Sequence, residues 1–300
     1  MTRNRILILG SNGQLGQEIL DIIKTQKAQI GSIPSYYGKV QVDTLNLPDW
    51  DISNKEQCED AVSKEYDFVI NCCAFTQVDL AESHMIDCYK ANTLGSKNIA
   101  YACKKHDTPL IHISTDYVFR GDGDTPLNEC DITYPLTVYG KTKLAGEDYI
   151  RQICDKYFIF RTSWLYGKFG KNFVYTMLNL GKTKEKITVV NDQYGCPTSA
   201  NDLAYVLLNT ALTKEYGLYH CSGHGICSWF DFAQAILKQS NSNCLVEPVT
   251  SAEYKTIAQR PKYSALNNLT LQSIGKDVMR DWQIALKSFL EEVLWWKNIY

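Results

Sequence analysis

Tyr139 and Lys143 are the residues whose types and spacing best fit acid–base chemistry. They lie four positions apart, so on a helix both side chains would share one face, one turn apart. A free tyrosine titrates near pH ~10 and is a poor acid catalyst at neutral pH, but an adjacent ammonium favours the phenolate and lowers the pKa. The pair is therefore a candidate proton donor for carbonyl reduction.

A second pair, Tyr101 and Lys105, has the same spacing, so position in the fold must distinguish the two pairs. Thr115 follows an apolar run over 109–113 that predicts a strand. Ligands in open α/β sheets collect beyond the carboxyl ends of the strands, where a hydroxyl can bond a carbonyl oxygen. Tyr139 follows this strand closely, whereas Tyr101 precedes it, and we interpret Tyr101 and Lys105 as structural.

A glycine-rich turn at the start of the chain predicts the hydride donor. Gly10, Gly13 and Gly16 directly follow the apolar run 5–9 and open a helical pattern. Glycines there permit a sharp turn and close approach of a pyrophosphate to the helix N-terminus. The spacing is GxxGxxG, and its alternative interpretation is an ordinary strand-to-helix turn. Its place at the head of a βαβ series favours binding of NADH or NADPH.

Dinucleotide sites of this kind place an acid near the end of the second strand, where it binds the adenosine ribose. Asp43 fits, and because no arginine follows it to take a 2′-phosphate, it favours NADH over NADPH. The alternative is a turn residue. Asp51 is a second candidate, placed to meet the adenine amine, or part of a helix start with Ser53 or Asn54 as cap.

These residues need a scaffold, and the first half of the chain supplies one. Apolar runs alternate with helical patterns, which predicts strands at 5–9, 39–42, 67–71, 109–113 and 157–161 and helices at 14–24, 85–105 and 139–154. This order is typical of an α/β fold with a Rossmann-type, doubly wound parallel sheet.

The second half predicts a smaller, partly interleaved α/β domain. Helices are expected at 172–180, 199–212, 229–238 and 284–295, and strands at 187–190 and 216–220. We therefore expect a dinucleotide-binding domain over 1–164 and a mainly substrate-binding domain over 165–300. Segments such as 191–212 are candidates for returning to the first domain.

Composition excludes several classes of partner. The 300 residues carry 31 basic against 33 acidic side chains, so no charge excess points to nucleic acid or anionic lipid. No apolar run approaches the roughly 18 residues of a membrane span. The eleven cysteines form no C-x-x-C pair, and we expect reduced thiols and a cytoplasmic protein.

The glycine turn, the hydroxyl at Thr115 and the Tyr139/Lys143 pair together resemble the extended short-chain dehydrogenase/reductase superfamily. Six segments in order further resemble its dTDP-4-dehydrorhamnose reductase family: 114–119, 135–147, 161–167, 191–198, 217–220 and 260–266. The resemblance extends from residue 6 to about 295.

The resemblance implies NAD(P)H-dependent reduction of the C4 keto group of dTDP-4-dehydrorhamnose to dTDP-L-rhamnose. Tyr139 would be the general acid, Lys143 would lower its pKa and hold the nicotinamide ribose, and Thr115 would polarise the carbonyl. The expected cofactor-binding residues are Gly10, Gly13, Gln14, Leu15, Gly16, Asp43, Asp51, Ile52, Ala74, Phe75, Thr76, Ile113, Tyr139 and Lys143. The expected substrate-binding residues are Thr115, Asp116, Trp164, Asn172 and Arg260, the last two with a structural role as the alternative.

Two other functions stay open at this stage. A sister reductase of another nucleotide 4-keto-6-deoxy sugar would share the catalytic residues. A non-catalytic dinucleotide-binding subunit, similar to the regulatory subunit of methionine adenosyltransferase, would be expected to depart from the pattern around Thr115. The retained hydroxyl favours an enzyme.

The histidines and the C-terminal aromatic residues support two further predictions. His112, His220 and His224 lack HxH or HExxH spacing, so we predict no metal and interpret these histidines as structural. The aromatic cluster at 295–300 packs on the second domain or forms a dimer contact, which leaves a homodimer possible.

Overall fold

A six-stranded parallel sheet organises the chain, for which a computed structural model describes residues 4–297, with side chains to residue 293. The strands are β1 Arg5–Leu9, β2 Lys27–Ala28, β3 Gly31–Ser32, β4 Gln41–Leu45, β5 Phe68–Asn71, β6 Leu110–Thr115, β7 Tyr157–Thr162, β8 Leu165–Tyr166, β9 Lys186–Val190, β10 Tyr194–Gly195, β11 Thr198–Ser199, β12 Gly217–His220, β13 Cys227–Ser228 and β14 Leu245–Val249. The helices are α1 Gln14–Thr25, α2 Lys55–Val62, α3 Val78–Ala81, α4 Met85–Tyr89, α5 Gly95–Lys105, α6 Val138–Ile153, α7 Phe173–Thr183, α8 Ala200–Ala211, α9 Trp229–Gln239, α10 Leu269–Ser273 and α11 Trp282–Lys297.

The order of strands in the central sheet is β12-β7-β6-β5-β1-β4. The chain leaves β1 for β4 on one side and returns to β5 on the other, which creates a topological switch point beside β1. Leu9 pairs with both Leu45 and Asn71, so β1, β4 and β5 end level with one another. A crevice beyond the carboxyl ends of strands at such a point is where α/β sheets bind ligands.

Alternation along β1 explains the two layers of helices. Ile6 and Ile8 belong to the core cluster shared with α1 and α8, whereas Leu7 and Leu9 belong to the cluster shared with α2, α5 and α6. Successive side chains of a strand point to opposite faces, so an unbroken apolar strand requires cover on both. The predicted doubly wound fold is confirmed.

A third core cluster joins α7, α9 and α11 to β9, and β9 pairs with β14. Helix α8, within the segment expected to return, packs on α1 and the first cluster. Strand β12 likewise lies at the edge of the central sheet. The division near residue 164 stays a prediction.

Two local departures from the predicted elements bear on the site, and a third feature decides between the two predicted caps of α2. A short β2–β3 hairpin precedes β4, which begins at Gln41 and not at 39. The helix expected over 85–105 is two helices joined by a π-helical turn, Lys90–Leu94. Helix α2 begins after Asn54, whose side chain accepts from the Gln57 amide, so Asn54 is the cap.

Among the described residues, no helix is long and apolar enough to cross a membrane. All eleven cysteines are free. Tyr300 and the side chains of Trp295 and Trp296 lie outside the described residues, so the structure does not address the predicted aromatic contact.

Candidate active site

A cavity of about 430 Å³ lies at the switch point and collects most of the predicted site residues. Its lining comprises Gly13, Gln14, Leu15, Gly16, Cys72, Ala74, Thr76, Val78, Ile113, Ser114, Thr115, Asp116, Tyr117, Tyr139, Lys143, Thr162, Ser163, Trp164, Leu165 and Lys171. A cavity of about 740 Å³ between α9 and β14 is larger, but none of the predicted site residues lines it. The smaller cavity is therefore the candidate site, because of its lining residues and its position at the carboxyl ends of the strands.

Two glycines shape the turn that forms the floor of this cavity. Gly10 has a φ of +72°, in the left-handed region, and a Cβ there would lie 2.9 Å from the Cys73 nitrogen. At Gly16 a Cβ would lie 2.5 Å from the Cα of Ser11. The N-cap residue of α1, Gly13, has no side chain to bond the first-turn amides. The turn can therefore approach a diphosphate closely and present helix N–H groups to it.

The structure does not place Asp43 at the end of a strand. It lies in the middle of β4, opposite Leu7, and its carboxylate pairs with Arg5 at 2.5 Å and accepts from the Tyr66 hydroxyl at 2.8 Å. The residue that follows β4 is Asn46, whose side chain accepts from the Asn12 amide at 2.9 Å. The geometric basis for preferring NADH is therefore absent, and Asp43 does not line the cavity.

Four other expected cofactor residues also lie outside the cavity lining, and one of them is Gly10, which shapes the turn beneath it. The exposed Asp51 accepts from the Ser53 amide in a turn before α2. Ile52 is buried in the cluster beneath α2 and α5. Phe75 packs on the same small apolar cluster as Tyr139, and both its backbone polar groups bond the side chain of Asn92, on the π-helical turn.

Thr115 ends β6 beyond the level of its neighbour β5, because His112 pairs with the last residue of β5. Its hydroxyl donates to Asp116 at 3.0 Å and accepts from the Tyr117 amide at 3.2 Å. Burial raises the pKa of Asp116 to about 6. The hydroxyl is thus oriented by its own chain at the cavity wall.

Tyr139 and Lys143 both lie on α6 and both line the cavity, as the spacing predicts. In this structure burial raises the pKa of Tyr139 above its ordinary value, and a hydrogen bond with Thr115 opposes that shift. Burial also lowers the pKa of Lys143 to about 8. The spacing alone therefore does not lower the tyrosine pKa; burial acts more strongly in the opposite direction.

The competing pair lies elsewhere. Tyr101 is 49% exposed on α5, and Lys105 pairs with Glu59 on the surface. Neither side chain borders the cavity. The position relative to Thr115 thus separates the two pairs in the structure as it does in the sequence.

A buried ion pair holds α6 against the sheet. Glu147, one turn beyond Lys143, accepts from Arg161 on β7 at 2.7 Å and 3.0 Å, and from the Ser114 hydroxyl on β6. Both charged side chains are almost completely buried. Sequence reasoning missed this pair, although the four-residue spacing from Lys143 places Glu147 on the same helix face.

Trp164 forms the wall where the two parts of the chain meet. Its φ is +47°, an uncommon backbone conformation for a bulky residue, and its ring stacks on Trp229 with centroids 3.5 Å apart. A Cβ on Gly195 would lie 2.5 Å from the indole, so Gly195 leaves the room the ring occupies. Trp229, at the start of α9, lies behind this wall residue and outside the cavity lining, and the sequence did not indicate it.

Asn172 and Arg260 do not line the cavity and have protein partners. Asn172 caps α7 and donates to Gln14 at 3.2 Å and to the Gly167 carbonyl at 2.8 Å. Arg260 donates to the Tyr117 hydroxyl at 2.9 Å and pairs with Asp79 at 2.6 Å. Both act on the site through residues that line it.

Metal ligation finds no support among the residues that the structure describes, where no group of three His, Cys, Asp or Glu side chains could hold an ion. The absence of a metal stays a prediction.

The sequence profile of the family described as "RmlD substrate binding domain" matches residues 4–295. The chain belongs to this family. The resemblance drawn from the six segments is thereby confirmed.

Known members of the family match nearly the whole chain. A dTDP-4-dehydrorhamnose reductase of Aggregatibacter actinomycetemcomitans is 37% identical over 297 residues, covering 95% of this chain and 97% of its own. The crystal structure of a dTDP-4-dehydrorhamnose reductase from Clostridium acetobutylicum superposes with a TM-score of 0.90 at 41% identity, and the match covers 97% of this chain and 99% of that one. The crystal structure of a Bacillus anthracis dTDP-4-dehydrorhamnose reductase in complex with NADP superposes with a TM-score of 0.90 at 38% identity, and the match covers 97% of this chain and 100% of that one.

Proposed function

We propose that this protein reduces the C4 keto group of dTDP-4-dehydrorhamnose to dTDP-L-rhamnose with NADPH or NADH. The observation that carries the proposal is one cavity that unites a glycine turn with Thr115, Tyr139 and Lys143. The relatives' activity and their near-complete coverage of the chain support the same substrate.

The residues fit the cofactor that the reaction requires. Gly16 leaves space that a Cβ would fill, and helix α1 has no side-chain cap. When bound there, a reduced nicotinamide dinucleotide supplies the hydride. NADP in the Bacillus anthracis relative supports NADPH, and the position of Asp43 removes the argument for NADH.

The protein's own residues supply the proton and hold the carbonyl. Because burial keeps the pKa of Tyr139 above its ordinary value, the phenol is protonated at neutral pH and can donate to the C4 oxygen. When its hydroxyl turns from Asp116, Thr115 donates to the same oxygen, and Lys143 stabilises the tyrosinate that results. Trp164 packs beside the sugar, where its stacked ring excludes water.

The test measures oxidation of NADPH and of NADH by the purified protein with dTDP-4-dehydrorhamnose. Tyr139→Phe should lower kcat by roughly 10²–10⁴-fold, the usual contribution of a positioned general acid. Tyr101→Phe is the matched control, because its phenol belongs to the exposed pair with the same spacing. We expect this control to retain full activity.

Absence of turnover with either cofactor, or equal losses in the two tyrosine variants, would contradict the proposal. Parallel assays with UDP-, GDP- and CDP-linked 4-keto sugars distinguish a sister reductase. Dinucleotide binding without turnover on any of them would favour the non-catalytic subunit. A cytoplasmic location and a homodimer stay predictions, which fractionation and light scattering would test.

A further inference from the structure

Thr162 places a buried hydroxyl in the cavity wall, and this hydroxyl has no hydrogen-bond partner among the residues that the structure describes. The residue ends β7 and is only 7% exposed. A buried polar group without a partner costs free energy, and most such groups in proteins are paired. An unpaired hydroxyl in a cavity wall therefore indicates that a ligand supplies its partner.

The strand register sets Thr162 beside a residue of the proposed reaction. Thr162 lies opposite Thr115, and the two residues end the neighbouring strands β7 and β6. The Thr115 hydroxyl already bonds Asp116 and the Tyr117 amide, whereas the Thr162 hydroxyl does not share these partners. Ligands of parallel sheets collect beyond the carboxyl ends of the strands. Two adjacent hydroxyls at this edge can therefore bind two different groups.

The part of the wall around Thr162 is apolar. Phe160, two residues earlier on β7, belongs to the first core cluster, and alternate residues of a strand share one face. Four residues that line the cavity belong to this cluster or pack on it: Leu15, Cys72, Ile113 and Leu165. Thr162 thus adds a hydroxyl to a surface that otherwise offers apolar contact.

A second set of lining residues is polar and fits a different ligand. It comprises Thr115, Asp116, Tyr117 and Tyr139. A sugar carries hydroxyl groups around its ring and matches this set. A nicotinamide ring carries a single polar substituent, its carboxamide, and matches an apolar wall with one hydroxyl, since ligand sites combine apolar contact with a few polar groups that fix orientation.

The glycine turn and Thr162 lie on the same cavity, and one contact brings their segments together. The side chain of Gln14, at the start of α1, donates to the carbonyl of Leu165 at 3.2 Å. Leu165 is only three residues beyond Thr162. One molecule can therefore contact both the start of α1, where a diphosphate fits, and the end of β7.

We infer that the Thr162 hydroxyl binds the carboxamide of the nicotinamide ring and thereby fixes which face of the ring is turned to the substrate. A threonine hydroxyl can donate to the carboxamide oxygen and accept from the carboxamide nitrogen. The inference rests on the proposed function in taking this cavity as the site of the dinucleotide. It adds Thr162 to the residues that bind the cofactor.

Isothermal titration calorimetry with Thr162→Val tests the inference without turnover. Valine keeps the shape of the side chain and removes the hydroxyl. We expect the Kd for NADPH to rise roughly 2–10-fold, the effect of one neutral hydrogen bond. The Kd for 2′-phospho-ADP-ribose, which lacks the nicotinamide ring, should not change. Thr162→Ser retains the hydroxyl and should retain the Kd for NADPH.

Thr198→Val is the matched control for the stability of the protein. Thr198 is also buried, but its hydroxyl donates to the Cys196 carbonyl at 3.2 Å and accepts from the Gly223 amide at 3.2 Å, and it does not line the cavity. This variant should lower Tm and leave the Kd for NADPH unchanged. Thr162→Val should raise the Kd without lowering the Tm of the ligand-free protein, because it deprives no protein group of a partner.

Three results would overturn the inference: an unchanged Kd for NADPH in Thr162→Val, an equal rise in the Kd for 2′-phospho-ADP-ribose, or a fall in Tm like that of Thr198→Val. An unchanged Kd with a raised KM for the sugar nucleotide would assign the hydroxyl to the sugar and also overturn it. A protein that binds NADPH through Thr162 but does not oxidise it would retain this inference and lose the proposed function. Full turnover with an unchanged Kd would do the reverse.

Discussion

Replacing Glu147 with glutamine should destabilise the protein far more than its conservative chemistry suggests. The substitution keeps the shape of the side chain but removes the counter-ion of Arg161, whose side chain is only 1% exposed. It also replaces one of the two acceptor oxygens that face Arg161 Nε and Nη2 with a donor. Removing one partner of a buried pair costs about 3–5 kcal/mol of the free energy of unfolding.

That cost corresponds to a fall in Tm of roughly 6–20 °C, toward the lower end for a chain of this length. Urea unfolding and differential scanning fluorimetry measure it. The matched control is Asp148→Asn on the same helix, because Asp148 pairs with Arg151 at the surface. An exposed pair contributes about 0–1 kcal/mol, so this control should change little.

A double variant tests the physical cause. Glu147→Leu with Arg161→Met removes both charges, and apolar replacement of a whole buried ion pair is often neutral or stabilising. The double variant should therefore be more stable than Glu147→Gln. A single variant that loses less than about 1 kcal/mol, or a double variant that is worse than it, would refute the reasoning.

Three further changes test the cofactor turn, the buried lysine and a helix cap. Gly16→Ala should raise the Kd for NADPH at least about tenfold, because the new Cβ would lie 2.5 Å from the Cα of Ser11. Gly123→Ala is the control, because a Cβ there meets open space and the Kd should not change. Isothermal titration calorimetry measures both Kd values. Burial lowers the pKa of Lys143 from its ordinary 10.5 to about 8 in the folded state, so between these two pH values the unfolded chain binds more protons. The free energy of unfolding should therefore rise with pH in this range, by up to about 1.4 kcal/mol per pH unit relative to Lys143→Met. Equal pH slopes for the two proteins in urea titrations would contradict this. Asn172→Ala should cost about 1–2 kcal/mol of stability through the lost cap, with the KM for the sugar nucleotide unchanged, and a large rise in KM would instead support substrate binding.

Local patterns in the sequence predict the central sheet and helix α6 well. Strand β1 is predicted to the residue, and the Tyr139/Lys143 pair lies on one helix, because both features depend on near neighbours in sequence. Asp43 is misplaced because apolar residues at 40 and 42 predict an early strand, whereas β4 begins at Gln41 and continues past it.

Contacts between distant segments explain the remaining differences. Gln14, one partner of Asn172, is 158 residues away, and the partners of Arg260 are 143 and 181 residues away. Nothing in the local pattern around Arg260 shows that its guanidinium is already bonded. The same holds for the buried His112, whose ring contacts Asn71 and Lys143 from two other elements.

The stacking of Trp229 on the wall residue Trp164 also has an optical consequence. Trp164 and Trp229 are 7° from parallel with centroids 3.5 Å apart, so their electronic transitions couple and should give an exciton signal in circular dichroism. Trp164 follows the central sheet and Trp229 begins α9, and a change in their separation would alter the coupled signal at once. The protein thus contains a label-free reporter of its own cleft, readable during substrate titration.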